Sequence, residues 1–581
     1  MRLRTIRAED DLRLSAAPTL AGSGALPHKC GVPLAASACA CPVADRNAAF
    51  MRQPNLTSLE DESRLQRWLL LGGRLPRPSA WAGMSHAVGV KKVNHAVRVR
   101  NCLYRMKRGF EVWVVLCCLW LWAPGCSRPV PENALIVTQV PHDAESTASA
   151  NLLDFRYPQG SRVVLATGTD YKNIRLLSSG LAAAGEPVIS YDGRRIVFSG
   201  KSSPGADWQI YENTPDGVHP KALTAVKGGA VNPALLGDGT LLYVSPAPTA
   251  GTVVAKPSLF AQSSGARARQ LTFGMAVSDP TVLSDGRILF VSPGAGKPDA
   301  GSSLYTINND GTELTAFACQ HDRPAWLRRP RELDDGRIAF LAGNDSSFRD
   351  ADAEFVLTAH PFSSRARLLS SSTARISSID LVRNGDWLVC AQTGPERGIL
   401  PGCVVFQANP AAAGLERPAL RDPAWACIEA VPAGAGRRPM GRLSNVAPSQ
   451  KTGQILCLNA NDTSLGSETE SHCTQAKRIR VFTNGSSGNE RLLGEVEVQS
   501  DGSFMAEVPA DMPLGFEVVD EQGTVLRREP PLIWVRPGEN RSCIGCHEAH
   551  NHSPRNLRPL AVRVPVPRLL PVPEKLAQTS R

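Results

Sequence analysis

Asp285-Gly286-Arg287-Ile288-Leu289-Phe290-Val291 sets a turn dipeptide directly before an apolar strand. The same arrangement recurs at Asp192-Gly193, Asp238-Gly239, Asp335-Gly336 and Asn384-Gly385, with the glycines 46, 47, 50 and 49 residues apart. Asp-Gly or Asn-Gly followed by β-branched and aromatic residues is a hairpin signal. A second strand follows in most units, as at Trp208-Gln209-Ile210-Tyr211 and Ser303-Leu304-Tyr305-Thr306. A period near 48 with several strands per unit predicts propeller blades, which bury both faces only by stacking in a ring. Thr452-Gly453 before Gln454-Ile455-Leu456-Cys457 reads as one more unit, delayed by an insertion over about 400–447, and Arg162-Val163-Val164-Leu165 as the strand that completes the ring. The Asp-Gly pairs are read as turns, not as catalytic carboxylates or calcium ligands.

From Ala476 the pattern changes. Arg478–Phe482, Leu493–Val498, Gly502–Val508 and Gly515–Val519 alternate at period 2, separated by turns at Asn484-Gly485, Asp501-Gly502 and Gln522-Gly523. This predicts a small antiparallel β-sandwich. The expected fold is therefore all-β: a six- to seven-bladed β-propeller over 135–472, a β-sandwich over 474–533, and a C-terminal segment over 534–581 ending in a Pro- and Arg-rich extended tail.

That last segment contains Cys543-Ile544-Gly545-Cys546-His547. Cys-x-x-Cys-His is the spacing of c-type haem attachment. Cys543 and Cys546 reach the two vinyl groups of one haem, and His547 is placed to bind its iron. His550 and His552 follow closely, so zinc is a further, less favoured reading of the same cluster. Arg442, Arg536 and Arg541, with Glu539 nearby, are candidates at the haem propionates, because a planar guanidinium matches a carboxylate. Equally, they could form an ordinary ion-pair set between sandwich and propeller.

Covalent haem is attached outside the cytoplasm, and an export signal is present. Met106-Lys107-Arg108, the apolar run 112–123, and Ala123-Pro124-Gly125-Cys126 compose a basic start, an apolar core and a cleavage region. Gly125-Cys126 resembles the end of a lipoprotein box, which makes Cys126 a lipidation candidate. Residues 1–105 are read as an over-extended or disordered basic stretch, and 106–126 as the signal. The chain carries a net charge of +10. By count, 1–105 holds sixteen Lys+Arg and seven Asp+Glu, and 106–126 adds +1, so 127–581 sums to zero. The basic charge belongs to the N-terminal stretch and gives no argument for nucleic acid. Cysteines 319, 390, 403, 427, 457 and 473 remain, an even six consistent with three disulfides in an exported chain.

Pro439-Met440-Gly441-Arg442-Leu443-Ser444, Lys451-Thr452-Gly453 with Cys457-Leu458-Asn459, Asp501-Gly502-Ser503-Phe504, and Arg536-Pro537-Gly538-Glu539 before Cys543–Glu548 resemble, in this order, the hydrazine synthase alpha subunit family. The resemblance covers roughly 135–570 and is strongest over 436–550. It implies a TolB-like propeller followed by a region bearing c-type haem. In the family's namesake the motif His is implied to bind zinc and a Tyr four residues later the iron. Here that later position is Asn551, so the expectation is that His547 binds iron directly. Met440, within the family-like motif, is the candidate for the sixth ligand. A single Cys-x-x-Cys-His does not carry over hydrazine synthesis, which the resemblance implies needs several haems. The expected function is an exported, monohaem c-type cytochrome-like protein of the periplasm or cell envelope, lipid-anchored to the membrane and passing electrons to a protein partner. The alternatives are a haem oxidoreductase acting on a small nitrogen or oxygen compound, and a propeller scaffold with a structural or sensory haem.

Overall fold

The computed structural model describes residues 129–131, 133–142, 156–247, 256–293, 301–318, 324–343, 354–358, 367–370, 375–382, 386–392, 403–408, 417–463, 475–484, 489–546 and 556–571. All belong to the second of two units, Glu111–Arg581. Cys126, His547, Cys319 and Cys473 lie outside the described residues.

Seven four-stranded antiparallel sheets are found among the described residues, and six of them are propeller blades. Their inner strands are β1 (Ala183–Ile189), β2 (Val231–Leu235), β3 (Ser278–Val282), β4 (Trp326–Glu332), β5 (Arg375–Leu381) and β6 (Trp425–Pro432). Each inner strand packs on the next, and β6 packs on β1, which closes a ring of six blades. The sixth blade joins β6 to three strands from the start of the fold, Leu135–Pro141, Arg162–Thr167 and Asn173–Leu176. The strand at Arg162 therefore does complete the ring, and the ring closes by antiparallel pairing of residues almost 300 positions apart.

The Asp-Gly turns behave as the repeat predicts. Asp192, Asp238, Asp285 and Asp335 each accept, through Oδ1, the N–H two residues on, at 2.9–3.1 Å. The four glycines have φ between +69° and +86°, where a side chain is strained. Asn384-Gly385 lies outside the described residues.

Two sequence expectations need correction. The stretch near 400–447, read as an insertion, supplies the outer strands Cys403–Ala408 and Arg417–Leu420 of the fifth blade, then β6. A strap follows β6 and crosses the propeller turns. Gly436 N–H donates to Tyr191 O at 3.0 Å, Met440 N–H to Ser284 O at 2.9 Å, and Ala447 N–H to Pro537 O at 2.7 Å. A Cβ on Gly286 would lie 2.3 Å from Met440 O, so the turn glycine also makes room for the strap.

The second correction concerns Thr452-Gly453. Strand β7 (Thr452–Asn459) is not a blade. It pairs with β10 (Phe504–Pro509) and β13 (Asn540–Gly545) in a three-stranded sheet. The facing sheet holds β8 (Arg478–Asn484), β9 (Glu490–Glu497), β11 (Leu514–Val519) and β12 (Val525–Ile533). Ile455, Cys457, Phe504, Ala506 and Val508 meet Ile479, Val481, Leu493 and Val518 in one buried core. The tail returns to this sandwich: Leu569 N–H donates to Glu507 O at 2.8 Å, and Leu569 packs into the core.

Trp534 anchors the sandwich to the ring. Its indole is buried among Leu271, Phe273 and Leu314 of the second and third blades, and Nε1 donates to Gly311 O at 3.0 Å. Phe273 meets it edge-on, with centroids 5.9 Å apart.

Candidate functional site

Strand β13 carries the Cys-x-x-Cys pair into the open edge of the three-stranded sheet. It runs parallel to β7, and Cys543 stands directly opposite Cys457 in the register. The chain leaves the ladder after Gly545. There Cys546 N–H donates to Asp462 O at 2.9 Å, and a Cβ on Gly545 would sit 2.3 Å from that same oxygen. Glycine at this motif position is thus dictated by the close pass of the Asp462 backbone.

Cys543 and Cys546 are half-buried, while Cys457 is 1% exposed in the sandwich core. The Cys457 thiol is in hydrogen-bonding contact with Cys546, and Cys543 lies close by. The Cys546 contact, followed by burial, pushes the Cys457 thiol well above its ordinary range, so it stays protonated at neutral pH. Three sulfurs thus gather where the motif supplies two. Among the described residues, no group of three or more His, Cys, Asp or Glu is placed to hold a metal ion.

The disulfide reading must change accordingly. Cys457 belongs with the motif pair. Cys427 is a buried thiol, pushed up to about 12 by burial, whose sulfur accepts from Gln139 Nε2 at 3.9 Å.

The candidate arginines separate. Arg442 lies on the strap and donates Nη1 to Asp285 O at 3.3 Å. Arg536 is buried at the sandwich–propeller junction, with Nη1 on Asp511 Oδ1 at 2.7 Å and the guanidinium over the Phe273 ring at 5.2 Å. Glu539 binds the junction from the same turn, accepting Arg536 N–H at 2.6 Å and Glu313 N–H at 2.9 Å. Arg541 is on β13 itself, two residues before Cys543. Its Nη2 donates to Leu314 O, while Nη1 is buried without a hydrogen-bond partner. Met440 is on the strap, its side chain 66% exposed.

The ring holds a second polar constellation that the Asp-Gly reading overlooked. Glu186, Asn232, Asp279 and Arg329 each precede a proline, each lie six residues before an Asp-Gly aspartate, and each have φ between +46° and +57°. They sit where the inner strands break register. Their side chains link blade to blade: Glu186 Oε2 accepts Asn232 N–H at 2.8 Å, Asn232 Oδ1 accepts Asp279 N–H at 3.3 Å, and Asp279 Oδ1 accepts Arg329 N–H at 3.3 Å. A cavity of about 200 Å³ lies over these residues, with Arg156, Arg331 and Asp380 also in its wall. Glu429 on β6 is fully buried, and its carboxylate takes Arg156 and Arg329, each at 3.0 Å, and Tyr157 OH at 2.6 Å. The signal was in the sequence as a polar-Pro pair at the same 46–50-residue period.

A closed six-bladed propeller, strapped to a sandwich that ends in a Cys-x-x-Cys edge strand, defines a β-propeller protein with an appended thiol site. Comparison with known proteins agrees with that description. Residues 451–548 match the family described as the hydrazine synthase alpha subunit middle domain, which covers β7 to the motif. Hydrazine synthase subunit alpha of Kuenenia stuttgartiensis is 30% identical over 125 residues, 21% of this chain and 15% of that subunit. The Kuenenia stuttgartiensis hydrazine synthase structure overlays with a TM-score of 0.64 at 16% identity, over 74% of this chain and 71% of that one, and so shares the fold. A TolB structure from Acinetobacter baumannii gives a TM-score of 0.35 at 13% identity, over 47% of this chain and 61% of that one. The chain is similar to hydrazine synthase subunit alpha over this region, and the sequence match spans about a seventh of that curated subunit's length.

Proposed function

We propose that this chain is an exported protein carrying one haem c on Cys543 and Cys546, with His547 as axial iron ligand, and that it exchanges electrons with a partner protein. The observation that carries the reading is the placement of the pair. Both residues are half-buried at the open edge of a sheet, where a large planar group could lie against the protein. Bound haem would supply a one-electron iron couple. The protein would supply two thiols for thioether bonds, an imidazole, and the unpaired Arg541 Nη1 for a propionate. Arg442 and Arg536 keep their protein partners in this reading, and Met440 on the strap stays the sixth-ligand candidate. Export through 106–126 and lipidation at Cys126 would hold the protein at a membrane surface. The near-zero charge beyond residue 126 gives no reason to expect nucleic acid.

A catalytic reading, oxidation or reduction of a small nitrogen or oxygen compound, is favoured by the identity to hydrazine synthase subunit alpha. Optical spectra of the full chain, made with c-type haem maturation machinery, separate the two. Electron transfer predicts a low-spin, six-coordinate iron indifferent to carbon monoxide. A high-spin spectrum that shifts with carbon monoxide would replace electron transfer by catalysis at an open iron position.

A further inference from the structure

Cys457 is the sulfur that the haem motif does not use. It is buried on β7, opposite Cys543 across the parallel ladder, and in thiol contact with Cys546. Cys546 follows Gly545, where the chain leaves the ladder and turns onto Asp462 O, and it packs against the buried core that contains Cys457. That packing and the thiol contact make Cys546 the partner open to Cys457 without a change of ladder.

We propose that Cys457 and Cys546 close a disulfide in the haem-free chain, and that this bond gates haem attachment. The step rests on the haem reading for its consequence but not for its chemistry. An external disulfide, such as oxidised glutathione or a dithiol oxidase of the cell envelope, accepts two electrons. One S–S bond forms between Cys457 and Cys546, the oxidant's S–S bond breaks, and both protons leave on its released thiols. Thioether formation adds one reduced thiol across each haem vinyl group. With Cys546 held by Cys457, Cys543 alone remains for attachment. Reduction by an external dithiol reverses the bond and opens the site. Cys546 is the more accessible end of the pair, so the reductant attacks there, while burial protects Cys457.

The test uses the full chain produced without haem maturation machinery. It is equilibrated in oxidised glutathione, its remaining thiols are alkylated, and its peptides are mapped by mass spectrometry without reduction. The expected crosslink joins Cys457 to Cys546, survives in Cys543→Ser and disappears in Cys546→Ser. A Cys457–Cys543 or Cys543–Cys546 crosslink, or alkylation of all three thiols, would overturn the pairing. Haem loading is then compared in oxidising and reducing buffer. In a Cys543→Ser background, Cys546 should attach haem only after reduction, and with Cys457→Ala added it should attach in both buffers. Equal attachment by Cys543→Ser in both buffers would overturn the gate. Should Cys457→Ala fail to fold, the wild-type map and the loading difference still decide. If no variant takes haem under reduction, the haem reading and the gate fall together, while the peptide map still decides the pairing.

Discussion

The carboxylate of Glu429 on β6 accepts the backbone N–H of Glu186 on β1 at 2.9 Å, joining the last blade to the first at the ring's inner wall. The same carboxylate holds Arg156 and Arg329. One fully buried group thus serves as the closing contact of the propeller and as counter-ion to two arginines, one buried and one partly buried.

Removing it takes that carboxylate from both cations, leaving Arg329 its longer ion pair to Asp380 at 3.5 Å. Burial alone would raise the Glu429 carboxyl, but Arg156 and Arg329 hold it at about 2, so it stays ionised throughout the physiological range. Glu429→Ala should cost about 3–5 kcal/mol, the usual cost of breaking a buried ion pair from one side. Denaturant unfolding followed by tryptophan fluorescence reads this. A loss below about 1 kcal/mol would mean that the ring closes by strand pairing alone.

Glu186 makes the opposite prediction for pH. Burial pushes its carboxyl up to about 7. The folded chain then holds a proton that the unfolded chain has released above about 4.5. Stability from this group is full below the unfolded value and falls as pH rises through about 7. Glu186→Gln cannot ionise, so its stability relative to wild type should rise between pH 5 and 7. A constant difference across that window would contradict the assignment.

The Asp-Gly period made the ring legible because each turn needs a residue that tolerates positive φ, and that need leaves a mark in sequence. The strand at Thr452–Asn459 was misplaced for the converse reason. A turn followed by an alternating strand looks the same in a blade and in a sandwich, and its partners, β10 and β13, lie about 50 and 85 residues downstream. Cys457 reads in sequence as one more structural cysteine for the same reason, since its proximity to Cys546 exists only through β7–β13 pairing. The polar-Pro repeat was available from spacing alone, but its role is visible only once each side chain is seen to accept the next blade's N–H.

Trp534 tests the joint between sandwich and ring. Trp534→Ala opens a cavity between the second and third blades and should cost about 3–5 kcal/mol. Trp534→Phe keeps most of the packing and loses the bond to Gly311, for about 1 kcal/mol. Similar losses for both variants would put the anchoring in the hydrogen bond and not in the packing.

Gly286 and Gly336 separate backbone strain from the strap. Both have φ above +80°, but a Cβ at Gly286 strikes Met440 O, whereas at Gly336 it meets nothing within 4 Å. Each substitution by Ala should carry about 1 kcal/mol or more of strain. Only Gly286→Ala should also lift the strap and speed tryptic cleavage after Arg437 and Arg442. Equal cleavage rates in the two variants would contradict the seating of the strap on this turn.

The central claim is that Cys543 and Cys546 carry haem. The most direct measurement is a pyridine haemochrome assay with intact mass on the full chain, made with c-type haem maturation machinery, beside Cys543→Ser/Cys546→Ser. The account predicts one covalently bound haem per chain in the wild type and none in the double variant. A wild-type chain with no added mass and no haemochrome would contradict it.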